Sequence, residues 1–412
     1  MKNDKVQKRD HRELGKSLDL FSFHEVAPGA VFWHPKGYLI YKALVEFLRK
    51  RLAKEGYQEV STPVLVKSKL FEKSGHWEFF YENMFHFKLE NETYTLKPMN
   101  CPEGCLIFAS KTRSYQDLPI RFSDFGILHR NELSGVLGGV FRVRQFTIDD
   151  AHNFIRPDQI QDEIHALLLL VVDFYKSLGF KPEFYLSTKP DKAMGDPKLW
   201  QEAEKGLKKA LERADVKFGI KEKDGAFYGP KIDIHIKDSQ DRDWQLATIQ
   251  LDFQTPERMQ LKYIDEDGSS KRPVIVHQAI LGSVERFIGI LTEHYQGAFP
   301  LWISPTQVTV LPVSEKYFDL AKKVVEILTE EGVRVEVDLG NKTVAAKIRD
   351  ATLQKIPYML IIGERERDKS KVKSQKSKDY FVSVRTRGGK DQGLLSLDRF
   401  VQILKEKIGK FQ

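Results

Sequence analysis

The stretch from Arg121 to His152 contains two runs in which apolar and polar residues alternate. The runs are FSDFGILHR and VFRVRQFTI, and a bend, SGVLGG, separates them. Alternation with a period of two on both sides of a glycine-rich bend predicts an antiparallel hairpin. Arginines on one face of such a hairpin would indicate a bound polyphosphate, which matches the forked geometry of guanidinium groups. The alternative interpretation is a solvated strand face with scattered ion pairs. The polar face would carry Arg130, Glu132, Arg142 and Arg144.

Hydrophobic periodicity predicts further strands and helices before residue 303. KIDIHIKD and WQLATIQLDF alternate on either side of the turn SQDRD and predict a second hairpin. Apolar stripes predict helices over residues 38–54 and 159–178, and VIVHQAILGSVERFIGILTEHY predicts a strand that continues as a helix. QEVSTPVL predicts a strand that runs to Pro63, where a proline fits a strand end.

The pattern changes after residue 303. QVTVL, EKYFDLAKKVVEILTEEG, VRVEVD, KTVAAKIRDATLQK and PYMLIIG predict strand, helix, strand, helix and strand. This βαβαβ order implies a separate domain with a largely parallel sheet. RERDKSKVKSQKSKDY, residues 365–380, is rich in lysine and predicts a mobile loop. Residues 1–20 are polar and basic, and they predict a lead-in with little structure.

The composition is typical of a soluble globular protein of two or three domains. Of the 412 residues, 41% are hydrophobic and 30% are charged, and the formal net charge of +8 favours a polyanionic partner. The cysteines are Cys101 and Cys105, which are too few for a disulfide framework and favour a reducing compartment. The N-terminus has no apolar signal core, and the run LLLLVVDFY is too short to span a bilayer. We therefore expect a cytoplasmic protein without membrane association.

Several strings resemble signature motifs of class II aminoacyl-tRNA synthetases. No Walker A or dinucleotide fingerprint occurs, so a nucleotide site would have to be built another way. FGILHRNE with Phe146 downstream resembles the second class II motif, GSVERF resembles the third, and the helix and strand ending at Pro63 resemble the first. KPMNCPEG, RVRQFTIDDAH, GAFYGPKID, WQLATIQLDF and VHQAILGSVERFIGILTEHY are more specific. They resemble the threonyl-tRNA synthetase family over nearly the whole chain.

The resemblance implies a fold and an activity. Residues 21–302 would form an α+β catalytic domain, with an antiparallel sheet of six to seven strands flanked by helices, and residues 303–412 a smaller α/β anticodon-binding domain. The first motif forms a homodimer interface in the family. The implied reaction joins L-threonine to tRNA(Thr) through a threonyl-adenylate, with ATP and Mg²⁺.

The resemblance also implies the residues that activate threonine. Its carboxylate attacks the α-phosphate of ATP in line, which requires positioning and neutralisation of charge. Arg130 would bridge the carboxylate and the α-phosphate, and Lys231 would lie near the α-phosphate. Arg142 and Arg286 would hold the outer phosphates. The other implied ATP-binding residues are Glu132, which would accept from the adenine amine, Phe146, which would stack on the base, Gln245 and Thr248.

Cys101, His152 and His277 match the zinc ligands of the family, which their spacing alone does not indicate. Three protein ligands leave the fourth zinc position open. The amine and hydroxyl of threonine would bind there, and Asp150 would receive the hydroxyl proton. Valine has no hydroxyl and should be rejected. The other implied threonine-binding residues are Met99, Tyr228, Gln250 and Ser283. Cys105 matches no ligand and is expected in the core.

Other matching positions concern the tRNA. His76, in SGHWEF, matches a histidine proposed in the family as the proton acceptor from the terminal ribose, although a purely ordering role also fits. The positions that contact anticodon bases in the family are Asn341, Lys355, Glu366 and Arg385. Lys355 stands where an arginine is usual, and Thr343 where a lysine is usual, so anticodon reading should differ in detail.

Three positions depart from the family pattern near the implied site. Ile148 replaces a glutamine associated with the substrate carboxylate, and isoleucine cannot donate that hydrogen bond. Gln145 replaces a glycine, and Gln278 replaces an arginine. These changes predict a weaker affinity for threonine.

The chain begins almost at RDHR, before which typical bacterial members carry a small N-terminal domain and an editing domain. Serine offers the same amine and hydroxyl as threonine and lacks one methyl group, which a binding pocket rejects weakly. We therefore expect misactivation of serine, no removal of serine from mischarged tRNA by this chain, and an editing factor acting in trans.

Two other interpretations remain open at this point. The first is a synthetase-like RNA-binding protein without charging activity, for which Ile148 is the best support. The second is a sibling enzyme such as a prolyl-tRNA synthetase, against which the set Cys101, His152 and His277 argues.

Overall fold

The computed structural model describes residues 8–372 and 380–411. The α-helices in these ranges are α1 (His11–Ser17), α2 (Pro35–Lys54), α3 (Lys69–Ser74), α4 (His76–Phe80), α5 (Cys101–Ala109), α6 (Ile160–Ser177), α7 (Pro197–Arg213), α8 (Gln254–Arg258), α9 (Val284–His294), α10 (Phe318–Glu330), α11 (Val344–Leu353), α12 (Glu364–Val372) and α13 (Leu397–Gly409). The strands are β1 (Phe21–Ser22), β2 (Phe32–Trp33), β3 (Gln58–Glu59), β4 (Leu65–Lys67), β5 (Phe85–Leu89), β6 (Glu92–Leu96), β7 (Ile120–His129), β8 (Gln145–Ile155), β9 (Glu183–Ser187), β10 (Phe218–Lys221), β11 (Lys231–Lys237), β12 (Asp243–Asp252), β13 (Tyr263–Ile264), β14 (Ser270–Lys271), β15 (Val274–Ser283), β16 (Val308–Pro312), β17 (Val335–Val337), β18 (Tyr358–Ile362), β19 (Phe381–Thr386) and β20 (Asp391–Ser396).

The described chain divides into two compact units. One comprises residues 23–32 and 45–290, and the other comprises the chain up to Ser22, residues 33–44 and the chain from Leu291 onwards. These units cut the chain at other points than the predicted domains 21–302 and 303–412, whose bounds stay a prediction.

The first unit is built on an eight-stranded sheet with the order β10-β9-β11-β12-β15-β8-β7-β3. The strands from β9 to β7 pair antiparallel, and the short edge strands β10 and β3 pair parallel with their neighbours. Helices α6 and α7 contact each other, and each also packs on strands of the sheet. The predicted antiparallel sheet with flanking helices is confirmed. The sheet has eight strands where six to seven were expected, and the short edge strands β10 and β3 account for the difference.

The second unit contains a five-stranded sheet with the order β17-β16-β18-β19-β20. The first three strands are parallel, which confirms the predicted βαβαβ arrangement, whereas β19 and β20 continue the sheet antiparallel. Its hydrophobic core includes Val308, Val310, Leu360 and Phe400, all fully buried. The predicted α/β fold of this part is confirmed.

The second strand of the hairpin between Arg121 and His152 begins later than its alternation predicts. β8 begins at Gln145, and β7 and β8 then pair in antiparallel register. The backbone N–H groups of Arg144 and Gln145 instead donate to the carbonyl of Gly29, at 2.6 and 3.3 Å. The interpretation of Arg142 and Arg144 as part of a strand face is therefore wrong, because the Arg144 N–H donates to a distant loop and the Arg142 carbonyl accepts from the nearby Gly138 N–H.

Three other predictions of local structure are wrong in part. The strand predicted to reach Pro63 is limited to Gln58–Glu59, since it pairs only at the sheet edge. The predicted loop 365–380 contains most of α12, and residues 373–379 of it lie outside the described residues. In the predicted lead-in, α1 forms because Asp10 caps it and Leu14 is buried.

Among residues 8–372 and 380–411, no helix combines the length and the apolar character that crossing a membrane requires.

Candidate active site

Antiparallel pairing places side chains from four strands on one face of the large sheet. Residues that are register partners in an antiparallel sheet project to the same face. One row of partners consists of Lys231, Gln250, His277 and His152. The adjacent row, two residues along each strand, consists of Asp233, Thr248, Ala279 and Asp150. Predicted site residues that are far apart in sequence thus become neighbours.

A cavity of about 300 Å³ lies over these rows. The predicted site residues that line it are Met99, Cys101, Arg130, Asp150, His152, Tyr228, Thr248, Gln250 and His277. Phe80, which the sequence did not single out, contributes to the wall, and so do the departing residues Ile148 and Gln278. The cavity therefore combines an arginine, a carboxylate and a Cys/His/His set.

Cys101, His152 and His277 lie together as a potential metal site. One ligand atom from each residue lies within 4.8 Å of the others, and the two imidazole rings are 4.9 Å apart. Cys101 is the first residue of α5, and the histidines are partners on β8 and β15. The three residues are at most 5% exposed. This clustering was implied by the family resemblance and not by spacing in the sequence.

The chemistry of these donors fits zinc. One thiol sulfur and two imidazole nitrogens are borderline-soft ligands, and three protein ligands leave a position for a substrate. His152 Nε2 is buried without a hydrogen-bond partner, as expected for a nitrogen whose partner is a metal ion. Burial lowers the pKa of His152 and raises that of the Cys101 thiol. The imidazole is therefore in its neutral, ligating form, whereas the thiol would lose its proton on metal binding.

Asp252 orients the imidazole of His277 through a hydrogen bond. Its Oδ2 lies 2.9 Å from His277 Nε2, and its Oδ1 accepts backbone N–H bonds from Gln254 and Thr255. Because a carboxylate only accepts, His277 carries its proton on Nε2 and presents Nδ1 as the free ligand atom. Asp252 was not among the predicted site residues. The period of two along β12 could have found it, since Asp252 follows Thr248 and Gln250 on the same face.

Two hydrogen-bonded pairs fix polar side chains of the cavity wall, which include Asp150, Tyr228 and Gln250. Asn100 Nδ2 donates to Asp150 Oδ2 at 3.2 Å, and the Tyr228 hydroxyl donates to Gln250 Oε1. Burial raises the pKa of Asp150 to about 6, so this carboxyl is mainly ionised at pH 7 and can accept a hydrogen bond. Asn100 was also missed, although it directly precedes Cys101 in KPMNCPEG.

Arg130 is fixed between two aromatic rings at the wall of the cavity. Its guanidinium lies 5.4 Å from the ring centre of Phe80 and 5.2 Å from that of Phe146. Phe146 is 8% exposed. Cation–π contact and hydrophobic packing therefore orient this guanidinium before any anion binds.

The other predicted phosphate-binding residues lie outside the cavity lining. Arg142 and Glu132 form an ion pair with Nη2 and Oε2 2.8 Å apart. Arg286 Nε donates to the carbonyl of Phe141 at 2.8 Å, and its backbone N–H donates to Ser283 Oγ at 3.3 Å. Glu132, predicted to accept from an adenine amine, is therefore paired with Arg142 in this structure.

Lys231 and Gln245 share one buried carboxylate. Lys231 Nζ lies 2.9 Å from Asp233 Oδ2, and Gln245 Nε2 donates to Asp233 Oδ1 at 2.5 Å. Asp233 itself is fully buried. Lys231, a member of the first row, and Gln245 are therefore both held by Asp233 of the second row, although neither lines the cavity.

His76 lies beside the metal ligands. It is fully buried, its Nε2 is 3.3 Å from Cys101 Sγ, and its Nδ1 is 2.9 Å from Ser74 Oγ. Burial lowers the pKa of His76 to about 4, so the imidazole is neutral at pH 7. A neutral imidazole can accept a proton, but so low a pKa makes it a weak base.

The predicted anticodon-binding residues lie in the second unit, where their exposure differs. Asn341 is exposed, and Lys355 is half-buried with a positive φ of 60°. Glu366 is 5% exposed and accepts from the Gly363 N–H at 2.8 Å and from the Ser383 hydroxyl. Arg385 is half-buried, and its Nε has no hydrogen-bond partner.

Comparisons with known proteins agree with the motifs. Residues 85–295 match the model of the tRNA synthetase class II core domain (G, H, P, S and T), and residues 307–407 match that of the anticodon-binding domain. A curated threonine–tRNA ligase of Caldanaerobacter subterraneus is 51% identical over 404 residues, covering 98% of this chain and 61% of the relative. One of Acetivibrio thermocellus is 49% identical over 405 residues, covering 98% of this chain and 62% of the relative.

A solved structure is also similar over nearly its full length. It is a crystal structure of the RNA-binding domain of threonyl-tRNA synthetase from Cryptosporidium parvum, with a TM-score of 0.92 and 43% identity. The match covers 97% of this chain and 98% of that one. The family resemblance predicted from the motifs is confirmed.

Proposed function

The chain belongs to the class II aminoacyl-tRNA synthetases, and from this membership we propose that it joins L-threonine to tRNA(Thr) through a threonyl-adenylate. The observation that carries the proposal is one cavity in which Arg130 and Asp150 meet the set Cys101, His152 and His277. ATP with Mg²⁺ would be the second substrate, since the metal neutralises the charge of the leaving pyrophosphate.

Arg130 has the central position in the proposed activation step. Its guanidinium can hold the threonine carboxylate and the α-phosphate together, so that the carboxylate oxygen attacks phosphorus as pyrophosphate leaves. Arg286 and Arg142 would hold the outer phosphates, Phe146 and Glu132 the adenine, and Lys231 the α-phosphate. These groups would act by positioning and charge neutralisation, without a covalent enzyme intermediate.

Recognition of threonine is proposed to depend on zinc and Asp150. Zn²⁺ held by Cys101, His152 and His277 would act as a Lewis acid that binds the amine and the hydroxyl of the amino acid. Asp150, ionised at pH 7, would accept the hydroxyl hydrogen bond. Valine leaves these polar groups unpaired and is rejected, whereas serine loses only a methyl contact and is activated more weakly.

The remaining parts of the proposal concern the tRNA and the assembly. Asn341, Lys355, Glu366 and Arg385 would contact anticodon bases, and His76 would accept the ribose proton or order the site. The first motif, ending at Pro63, would form a homodimer interface.

Charging of tRNA(Thr) by the purified chain tests the proposal. We expect threonine-dependent charging that a chelator abolishes and that zinc restores. Cys101→Ala should abolish it, whereas Cys105→Ala should retain it, because Cys105 lies one turn further along α5 in a hydrophobic cluster. If folded, zinc-loaded protein binds tRNA(Thr) but neither activates nor transfers threonine, the proposal fails. The RNA-binding alternative, for which Ile148 in the cavity lining is the main support, would then be preferred.

A further inference from the structure

We propose that Asn100 is a positioning residue that holds the Asp150 carboxylate in the orientation needed to recognise the substrate hydroxyl. This inference rests on the proposed function, because that hydroxyl belongs to threonine. Asn100 does not line the cavity, and Asp150 does. The effect of Asn100 on the substrate would therefore pass through Asp150.

The side chain of Asn100 is used in an unusual way. Asn100 is the N-cap of α5, where an asparagine side chain ordinarily accepts a backbone N–H of the first turn, but it makes no such bond. Its Nδ2 donates to Asp150 Oδ2 at 3.2 Å instead. A carboxylate can only accept, so the nitrogen of the amide must face Asp150.

This orientation leaves the other end of the amide without a partner. Asn100 is 1% exposed, and its Oδ1 has no hydrogen bond. An unpaired buried oxygen destabilises the folded state, and a forgone cap does so as well. The unpaired Oδ1 and the missing cap both destabilise the fold, and the side chain gains only one hydrogen bond, to Asp150. We therefore assign that hydrogen bond a role in the site and not in stability.

Because Gly126 has no side chain, it leaves the space that the Asn100 amide occupies. A Cβ on Gly126 would lie 2.3 Å from Asn100 Oδ1 and 2.7 Å from Nδ2, closer than real contacts allow. Gly126 lies within β7, and its register partner on β8 is Ile148. Because Asn100 is almost fully buried, an alanine at position 126 would displace its amide from Asp150.

Asp150 is consequently held at one oxygen and open at the other. Oδ2 accepts from Asn100, whereas Oδ1 lies 3.8 Å from His152 Nε2, on the side of the proposed zinc ligands. A carboxylate fixed in this way presents Oδ1 to a hydroxyl bound near His152. Rotation of an unsupported carboxylate would weaken that hydrogen bond.

Steady-state ATP–pyrophosphate exchange with Asn100→Ser and Gly126→Ala tests the inference. Serine can still cap α5 but is too short to reach Asp150. For each variant we expect the KM for threonine to rise about 10-fold or more, the change expected for loss of a hydrogen bond to a charged group. The KM for ATP should stay within about twofold of wild type, and the preference for threonine over valine should fall.

Asn153→Ala is the matched control. Asn153 is a fully buried asparagine on the same strand as Asp150, its Nδ2 donates to Tyr57 at 2.9 Å, and its Oδ1 is also without a partner. Its neighbour His152 projects to the cavity face, so Asn153 projects to the other face. We expect this variant to lose thermal stability and to keep the KM for threonine.

A double-mutant cycle separates positioning from general damage. If Asn100 acts through Asp150, Asn100→Ser should have no further effect in an Asp150→Ala background. Independent effects in this cycle would overturn the inference, as would an unchanged threonine KM or equal rises in the KM for threonine and ATP. A wild-type chain without threonine-dependent exchange would overturn the proposed function and, with it, this inference.

Discussion

Asp252 connects one proposed metal ligand, His277, to the start of α8. It orients His277 through Oδ2 and is itself held by two backbone N–H groups through Oδ1. Carboxylates in this position set the tautomer and the basicity of the histidine ligand. Asp252 is therefore expected to determine how tightly zinc binds without touching the ion.

Asp252→Asn should weaken zinc binding by about 10- to 100-fold, because an amide holds the imidazole less well than a carboxylate. The measurement is competition for zinc with a chromophoric chelator at fixed pH. Asp162→Asn, at a residue whose side chain is 75% exposed, serves as the control and should bind zinc as the wild type does. Equal zinc affinity in the Asp252 variant and the wild type would contradict this role.

Ile148 contributes an apolar side chain to the cavity, at a position where the family pattern has a glutamine associated with the substrate carboxylate. Ile148→Gln should lower the KM for threonine by about 10-fold, since a hydrogen bond to a charged group is gained. The measurement is ATP–pyrophosphate exchange at saturating ATP. Ile127→Gln on β7, at a residue that is 44% exposed, is the control. An unchanged or raised KM in the Ile148 variant would show that the cavity does not bind the carboxylate there.

At the scale of residues, the family motifs identified most groups that line the cavity, but not the groups that hold them. Cys101, His152 and His277 could be matched position by position. Asn100 and Asp252 were missed because each acts through a hydrogen bond to a residue far away in the sequence. Asn100, at the start of α5, bonds to Asp150 on β8, and Asp252 on β12 bonds to His277 on β15. These bonds form only when the strands are paired in the correct register. Alternation along β12 could have indicated Asp252, whereas no local pattern indicates Asn100.

At the scale of elements, Glu285 fastens the start of α9 to β8. Both of its carboxylate oxygens accept the Thr147 backbone N–H, at 3.1 and 3.0 Å, and Oε2 also accepts from the Ser283 hydroxyl at 3.0 Å. Burial raises the pKa of Glu285 to about 7. The hydrogen bonds of Glu285 therefore fix the backbone next to Arg286, and their strength depends on the protonation state of Glu285.

The pKa of Glu285 predicts a stability difference. Its pKa in the fold is above the ordinary value of 4.5, so its stabilising contribution is complete at low pH and is lost as the pH rises towards 7 and above. Between pH 5 and pH 8, Glu285→Gln should therefore lose less unfolding free energy than the wild type, by about 2–3 kcal/mol. Urea unfolding at the two pH values measures this. The exposed control Glu330→Gln should follow the wild type, and parallel behaviour of Glu285→Gln would refute the prediction.

Helix α1 forms in a segment whose polar and basic composition predicted little structure. Its polar and basic sequence resembles a tail, yet Leu14 is 1% exposed, and the helix has an Asp10 cap. Leu14→Ala should destabilise the protein by about 2–5 kcal/mol, as expected for a large-to-small change in a core. Chemical denaturation measures the loss, with the exposed residue in Lys16→Ala as the control. A loss no larger than that of Lys16→Ala would mean that α1 adds little stability.

Elements with strong periodicity were predicted well, and those defined by distant partners were not. β11, β12 and the strand–helix pair β15–α9 follow the predicted order, because alternation and helical stripes are local signals. The segment before Gln145 alternates equally well but pairs with Gly29. Helix α12 was predicted as loop because its composition is almost entirely polar.

At the scale of the whole molecule, the sequence was sufficient for the fold class of both units. The register of the antiparallel sheet positions the cavity rows, and the βαβαβ order determines the three parallel strands of the second sheet. The grouping of residues 33–44 with the chain beyond Leu291 could not be predicted, because it depends on contacts between segments far apart in sequence.

The most direct measurement is ATP–pyrophosphate exchange by the purified chain with threonine, serine, valine and proline, in zinc-loaded and chelated protein. We expect zinc-dependent exchange with threonine, weaker exchange with serine, and negligible exchange with valine and proline. This result would support both the reaction and the recognition of the hydroxyl at the cavity. No exchange with any amino acid by folded, zinc-loaded protein, or equal exchange with valine and threonine, would contradict the account.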